Sequence, residues 1–358
     1  MYKSLQAGRA IAAILVVLFH LGGAIAAEKY FGLTAFSIPF SFGDAGVEFF
    51  FVLSGFIIFA AHQKDISQPH KLRSYLRKRI TRIYPTYWMI FLGVYFLAVA
   101  MSSALSSSLP DDVLVLLKSL LLLPQDKSMV GGTGAPILIV AWTLQYEMLF
   151  YLFFAVMILN RVASIVLGLV WFSVFISFSG SPSLDFPLSF IAKDYVFLFI
   201  LGMVVAKACM SKIVSVKNPC LCATIGLLMF LSIALDEVTG VNFSSEHGTV
   251  LYGLASGLII FGLVKAEAGG RVIGGNSWLQ LIGDSSYALY LIHYPLISIL
   301  CKIAIYLRLN QYGFSGALLT YVLILGSCIV SSMAFHLWIE KPTTVYIRNF
   351  FAQPKPVA

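Results

Sequence analysis

Two ionisable side chains lie deep inside apolar stretches of this 358-residue chain, and both suit proton chemistry. His20 interrupts a run of Ala, Ile, Leu and Val between Leu5 and Ala27, and Glu147 interrupts Trp142-Thr-Leu-Gln-Tyr-Glu147-Met-Leu-Phe-Tyr151. Imidazole can act as general base on a hydroxyl, or can take an acyl group covalently and hand it on. A carboxylate beside it would orient the ring and stabilise the imidazolium that forms; Glu147 is the first candidate and Asp44 the second. Asp44 and Glu48 are four residues apart and share a helix face. That acidic pair could bind a sugar hydroxyl, tune a histidine or simply be solvated. The neighbouring Ser54-Gly55 reads as a notch for close helix packing.

The densest basic run is Lys71-Leu-Arg-Ser-Tyr-Leu-Arg-Lys-Arg79-Ile-Thr-Arg82-Ile-Tyr-Pro85. On a helix Arg79 and Arg82 share a face, and such a fork suits the phosphates of an anionic cofactor. A juxtamembrane cluster that holds anionic headgroups and fixes topology is the plainer reading of the same charges. Arg9 is a further phosphate candidate. His293, in Ser285-Ser-Tyr-Ala-Leu-Tyr-Leu-Ile-His293-Tyr-Pro295, falls where a cofactor head would enter, and His336 and Glu340 read as a local ion pair. His62, His70 and His247 receive no role.

The elements that must carry these groups are membrane helices. The chain is 59% hydrophobic and only 11% charged, with a mean hydropathy of +0.90, against about 25% charged residues in soluble domains. Its apolar stretches are long and continuous, which argues for helices over a barrel. The reading is an all-α polytopic bundle of ten spans, at 8–27, 45–61, 85–104, 139–159, 161–178, 190–208, 220–236, 248–265, 287–307 and 316–340. Residues 113–123 are too short to cross and are expected at the surface. One domain over 1–343 and a short cytoplasmic tail over 344–358 complete the division. With both termini cytoplasmic, 18 of the 24 Lys and Arg residues fall inside, which supports that orientation. The formal charge of +8 therefore reflects topology and not a nucleic-acid partner.

Eleven residues of helix separate Arg9 from His20, about 16 Å. With Arg9 at the cytoplasmic edge of a core about 30 Å thick, His20 reaches mid-membrane. Glu147, entering from the opposite face, reaches a depth of about 12 Å, close to that of His20. An intramembrane carboxylate rarely survives unpaired, so a His20–Glu147 pairing or a shared cavity is expected. The rival arrangement pairs Glu147 with Arg or Lys purely to hold helices together.

Lys3, Arg9 and Ala24-Ile-Ala26 resemble a cleavable secretion signal, but His20 within the apolar run and the many later spans favour a retained helix. Cys209, Cys220 and Cys222 lack matching partners and predict no metal site, while Cys301 and Cys328 are expected in the core. No phosphate-cradling Gly-x-x-x-x-Gly-Lys loop, nucleophile elbow or zinc spacing is present, which argues against a pump with its own nucleotide-binding domain.

Taken together, the motifs resemble the acyltransferase family 3 of bacterial membrane proteins, which O-acylate surface and exported glycans. The resemblance rests on Arg9 and His20, Gly46-Val-Glu-Phe-Phe-Phe-Val-Leu-Ser-Gly-Phe-Ile-Ile58, Arg79-Ile-Thr-Arg82-Ile-Tyr-Pro85, Trp142-Thr-Leu-Gln-Tyr-Glu147 with Phe150-Tyr151, and Tyr287-Ala-Leu-Tyr-Leu-Ile-His293. They run across most of the chain in the family's order, with a flavour closest to its exopolysaccharide-production branch. The resemblance implies an inner-membrane enzyme that takes its acyl group from cytoplasmic acetyl-CoA or another acyl-CoA. The acceptor would be a polysaccharide or lipid-linked glycan hydroxyl at the outer side. The periplasmic hydrolase-like domain of many relatives is expected to be absent, so the module acylates the acceptor itself or passes the group to a separate periplasmic protein. The rival function is a transporter or flippase with His20 and Glu147 as a proton relay, and a third is a non-catalytic assembly protein. Duplicated halves with broken helices would favour a transporter, and none stand out.

Overall fold

The structure is a computed structural model that describes residues 2–351 apart from 101–109, 111, 179–183, 212, 215 and 242–246. Every regular element among the described residues is helical, and ten are long and apolar enough to cross a membrane. The long helices are α1 (Lys3–Ala26), α2 (Gly46–His62), α3 (Leu72–Ala100), α4 (Val113–Leu120), α5 (Trp142–Leu159) and α6 (Arg161–Phe178). They continue with α7 (Tyr195–Met210), α8 (Pro219–Thr239), α9 (Gly248–Ala268), α10 (Ser286–Tyr306), α11 (Gly313–Phe335) and α12 (Lys341–Phe350). Apart from the short α4 and α12, these match the ten expected spans to about five residues, except that α3 begins thirteen residues ahead of the expected 85–104 and takes in the basic run. The read tail is helical to Phe350, and 352–358 lie outside the described residues.

Helix α1 lies at the centre, packed against α2, α9, α10, α11 and the 3-10 segment Ile38–Ala45. Its first backbone N–H groups, which lack intrahelical acceptors, are met by a carboxylate: Lys3 N and Ser4 N donate to Glu267 of α9 at 2.8 and 2.7 Å. Lipid supplies no hydrophobic drive between helices, so close packing must. At Gly55 of α2 and Gly202 of α7 the backbones approach so closely that a Cβ on either would fall on the facing carbonyl. The Gly55 half of the small-residue notch is therefore packing. We expect Gly55→Val to cost about 3 kcal/mol through forced separation of α2 and α7, read as a lowered Tm of the detergent-purified protein.

The segment 113–123 lies at the surface as expected, with Val113, Leu114, Leu117, Leu121 and Leu123 exposed. Its helix α4 is capped by Asp112, and the turn that follows is anchored to the bundle through buried Ser119 and Leu122. Three aromatic donors at the middle of α3 meet its carbonyls: Tyr87 to Ser119 at 2.6 Å, Trp88 to Leu120 at 2.9 Å and Tyr84 to Leu121 at 2.9 Å. Gln145 of α5 adds bonds to Leu123 and Gly134 at 3.3 and 3.2 Å. Irregular backbone is tolerated at membrane depth only when protein satisfies it in this way. At the other end of the chain His336 and Glu340 form the expected pair, at 2.7 Å, in the π-turn that joins α11 to α12. Cys301 and Cys328 are buried core residues.

Candidate active site

Two cavities lie inside the bundle, with no lining residue in common. The first, of about 730 Å³ with its mouth, lies toward the N-terminal end of α1, between α1, α2, α3, α5 and α10. Its polar lining includes Arg9, Ser54, Arg82, Glu147 and Ser286, with the hydroxyl-bearing Thr143, Tyr287 and Tyr290. Arg82 is exposed into this space. Arg9 Nη1 donates to the side-chain oxygen Oε1 of Gln6 at 3.2 Å, and Gln6 Nε2 in turn donates to Asp284. Glu147 accepts from Ser54 Oγ at 3.1 Å and from the Tyr151 hydroxyl at 2.5 Å. Tyr287 donates to the Ile83 carbonyl at 3.0 Å, which fastens α10 to α3 at the cavity wall.

The second cavity, of about 1060 Å³ with its mouth, lies toward the C-terminal end of α1. His20 reaches it beside the rings of Phe19, Tyr30 and Tyr294, with Lys29 and the hydroxyls of Ser37, Ser41 and Ser298 around the remaining wall. The Tyr294 ring stands edge-on to His20, with centroids 5.3 Å apart.

The histidine tautomers follow from what each nitrogen faces. His293 Nδ1 lies 3.0 Å from the Leu289 carbonyl, which can only accept, so Nδ1 carries the proton and Nε2 holds a lone pair. His20 Nδ1 faces two acceptors, the Val16 carbonyl at 2.9 Å and that His293 lone pair at 3.3 Å, so it too is protonated. The Nε2 lone pair of His20 is then the basic one of the pair. Locally, α1 and α10 position this dyad through ordinary i−4 carbonyls; no loop is involved.

One helical turn of α10 divides the cavities. Tyr290 lines the first, Tyr294 lines the second, and fully buried His293 sits between them. The Tyr290 hydroxyl is anchored to the Val140 carbonyl at 3.1 Å and to Thr143 Oγ at 2.8 Å, just ahead of and within the first turn of α5.

Comparison with known proteins matches the acyltransferase domain family over residues 2–337. The chain belongs to that family. This multi-pass membrane acyltransferase is also similar to the exopolysaccharide production protein ExoZ of Rhizobium meliloti (strain 1021). The two are 28% identical over 319 residues, covering 85% of this chain and 90% of that protein. No solved structure matches the chain.

Of the residues singled out in the acyltransferase sequence, Arg9, Arg82 and Glu147 share the first cavity, while His20 and His293 are in contact with each other. The expected His20–Glu147 pairing gives way to a different one: His20 turns to Val16 and His293, Glu147 to Ser54 and Tyr151, and they line different cavities. The two are separated along the bundle, Glu147 toward the N-terminal end of α1 and His20 toward its C-terminal end, with the Tyr290 wall between them. His293, expected near a cofactor head, is buried one turn beyond the residues of α10 that face the first cavity. Arg79 does not line that cavity with Arg82; it is buried, with Nη2 3.2 Å from His62 Nε2. Asp44 is exposed at the end of the 3-10 segment, in electrostatic reach of Glu237 and away from both cavity linings.

Sequence reasoning read Ser54 only as part of a packing notch and passed over Thr143, Tyr151 and Tyr290, although all four stand inside the quoted motifs. It also gave no role to His62, which bonds Asp65 at 2.7 Å; the His-x-x-Asp spacing was the signal. Among the described residues, no three His, Cys, Asp or Glu side chains converge as metal ligands.

Proposed function

We propose that this acyltransferase moves an acyl group, acetyl in the first instance, from a cytoplasmic acyl-CoA to a hydroxyl of an exopolysaccharide or its lipid-linked precursor. The transfer would cross a bacterial inner membrane, with both chain termini inside and the division at 1–343 and 344–358 as read from the sequence. The observation that carries the reading is the back-to-back arrangement of an arginine-lined and a histidine-lined cavity, one turn of α10 apart.

Arg82 and Arg9 hold the donor's phosphates, since guanidinium groups pair phosphate oxygens in a bidentate fork. The acyl-bearing arm extends past Ser54 and Glu147 and past the Tyr290 side chain, so that the thioester meets the acceptor at the dividing turn beside His20. On the far side the acceptor enters the second cavity, whose three aromatic rings and three serine hydroxyls suit the faces and hydroxyls of a sugar. His20 Nε2 takes the proton from the acceptor hydroxyl as its oxygen attacks the thioester carbonyl carbon. The carbon–sulfur bond breaks, and the proton passes from His20 to the leaving sulfur, which departs as the CoA thiol. His293 keeps the His20 ring in the reactive tautomer throughout. The similarity to ExoZ, by its printed name an exopolysaccharide production protein, supports the acceptor class.

Mass spectrometry of surface and secreted glycans from strains with and without the gene tests the reading. Loss of acyl esters from one glycan in the deletion strain is expected. An identical ester profile would refute the assignment.

A further inference from the structure

Arg79 and Arg82 are three residues apart, yet the fold gives them different surroundings. Arg82 opens into the donor cavity, whereas Arg79 is 8% exposed and sits between two rings, with its guanidinium carbon 5.6 Å from the centroids of both Tyr75 and Tyr151. Its Nη2 lies 3.2 Å from His62 Nε2, and its Nε is buried with no hydrogen-bond partner among the described residues. The direction of donation is set from the far end. The Asp65 carboxylate, 2.7 Å from His62 Nδ1, can only accept, so Nδ1 carries the proton and Nε2 accepts from the guanidinium. Tyr151, stacked on Arg79, donates to Glu147, and Ser54 donates to the same carboxylate.

These contacts close a ring through three helices. Ser54 and His62 lie two turns apart on α2, Arg79 is on α3, and Tyr151 and Glu147 are on α5. Tyr75 reinforces the ring by donating to the Tyr151 carbonyl at 3.2 Å. We propose that Arg79 is a positioning residue and not a phosphate ligand: clamped by His62 and Asp65, it fixes Tyr151 and thereby the Glu147 carboxylate in the donor cavity. The inference rests on the acyl-CoA reading above and assigns Glu147 a task within it. A carboxylate held beside the path of the donor's amide-bearing arm accepts an N–H from that arm and aims the thioester at the Tyr290 wall. The residue type follows from the geometry, because a planar guanidinium can lie between two rings while donating at its edge, and an ammonium cannot.

The test separates donor binding from transfer in the full-length protein reconstituted in nanodiscs. Free CoA is the binding probe, and acetyl-CoA with the cell's own glycan fraction is the transfer assay. Arg79→Gln and Tyr151→Phe should each lower the transfer rate at least tenfold while leaving the CoA Kd within about threefold, because affinity resides in the phosphate contacts. Arg79→Lys should not rescue. The double variant should be no worse than the poorer single variant by more than about twofold, since both substitutions break one chain. A CoA Kd raised by Arg79→Gln as much as by Arg82→Gln would overturn the proposal, as would multiplicative losses in the double variant. If Arg79→Gln does not fold, His62→Gln paired with Tyr151→Phe makes the same comparison. Wild-type protein that binds no CoA would instead refute the donor reading; the Arg79–Tyr151 coupling is then read from non-additive shifts in Tm, and additive shifts would overturn it.

Discussion

His20→Ala is expected to reduce acyl transfer by about a thousandfold while CoA binding stays within about twofold of wild type. Removing a general base typically costs between a hundred- and ten-thousandfold in rate. The lower part of that range is set aside because the His20 Nε2 lone pair is the basic position that the local carbonyls leave open in this dyad. His20 is remote from the donor's phosphates, being about 16 Å along α1 from Arg9. The measurement is a single-turnover assay with labelled acetyl-CoA beside equilibrium CoA binding, at matched protein level. Wild-type transfer in His20→Ala would remove it from the chemistry. His293→Ala should lose less, because it leaves the base present and only frees the ring to turn toward the wrong tautomer.

The second large effect concerns the opposite cavity. Arg82→Gln is expected to raise the CoA Kd about thirtyfold, the equivalent of about 2 kcal/mol for one lost charge-assisted hydrogen bond. Transfer at saturating donor should recover to within a fewfold of wild type, because the substitution leaves the His20–His293 dyad untouched. The defect should be larger for CoA than for a truncated thioester that retains the pantetheine arm but lacks the nucleotide phosphates. Equal weakening of both donors would mean that Arg82 holds something other than phosphate. Together the two variants define opposite faults: one binds and does not transfer, the other transfers once binding is forced.

Why some of this was legible in the sequence and some was not comes down to geometry. Ten spans follow from apolar length alone, because no other backbone arrangement is self-satisfied in lipid. Depth is only partly readable: constant helical rise separates His20 from Arg9 along α1, but the similar depth expected for Glu147 is not what the fold shows, since Glu147 shares the cavity of Arg9 at the N-terminal end of α1 while His20 opens to the one at its C-terminal end. Direction around the bundle is different. Whether Glu147 points to one side or the other of Tyr290 depends on how α5 packs against α2 and α10, which no local spacing encodes. The same gap explains Arg79, whose three-residue spacing from Arg82 suggested a shared face while Tyr75, Tyr151 and His62 drew it into the protein interior. It explains His293 too, which belongs to α1 through His20 as much as to its own helix. The anchorage of the surface turn after α4 was hidden for a related reason. Eleven apolar residues cannot cross a membrane, and nothing in them announces the three donors that wait on α3.

The one-turn wall between the cavities has an electrical meaning. A bilayer core about 30 Å thick normally spreads the membrane potential over its full width. Where aqueous space reaches inward from both faces, the drop is compressed into the remaining protein, here the single turn of α10 that carries Tyr290, His293 and Tyr294. A charge moved through that turn would gain or lose about 2.3 kcal/mol per 100 mV, within a few ångströms of the His20 ring. An acyl group passing from sulfur to oxygen across it is neutral and does no electrical work. On the proposed transfer, the group would cross the thinnest part of the insulation without drawing on the potential or leaking it.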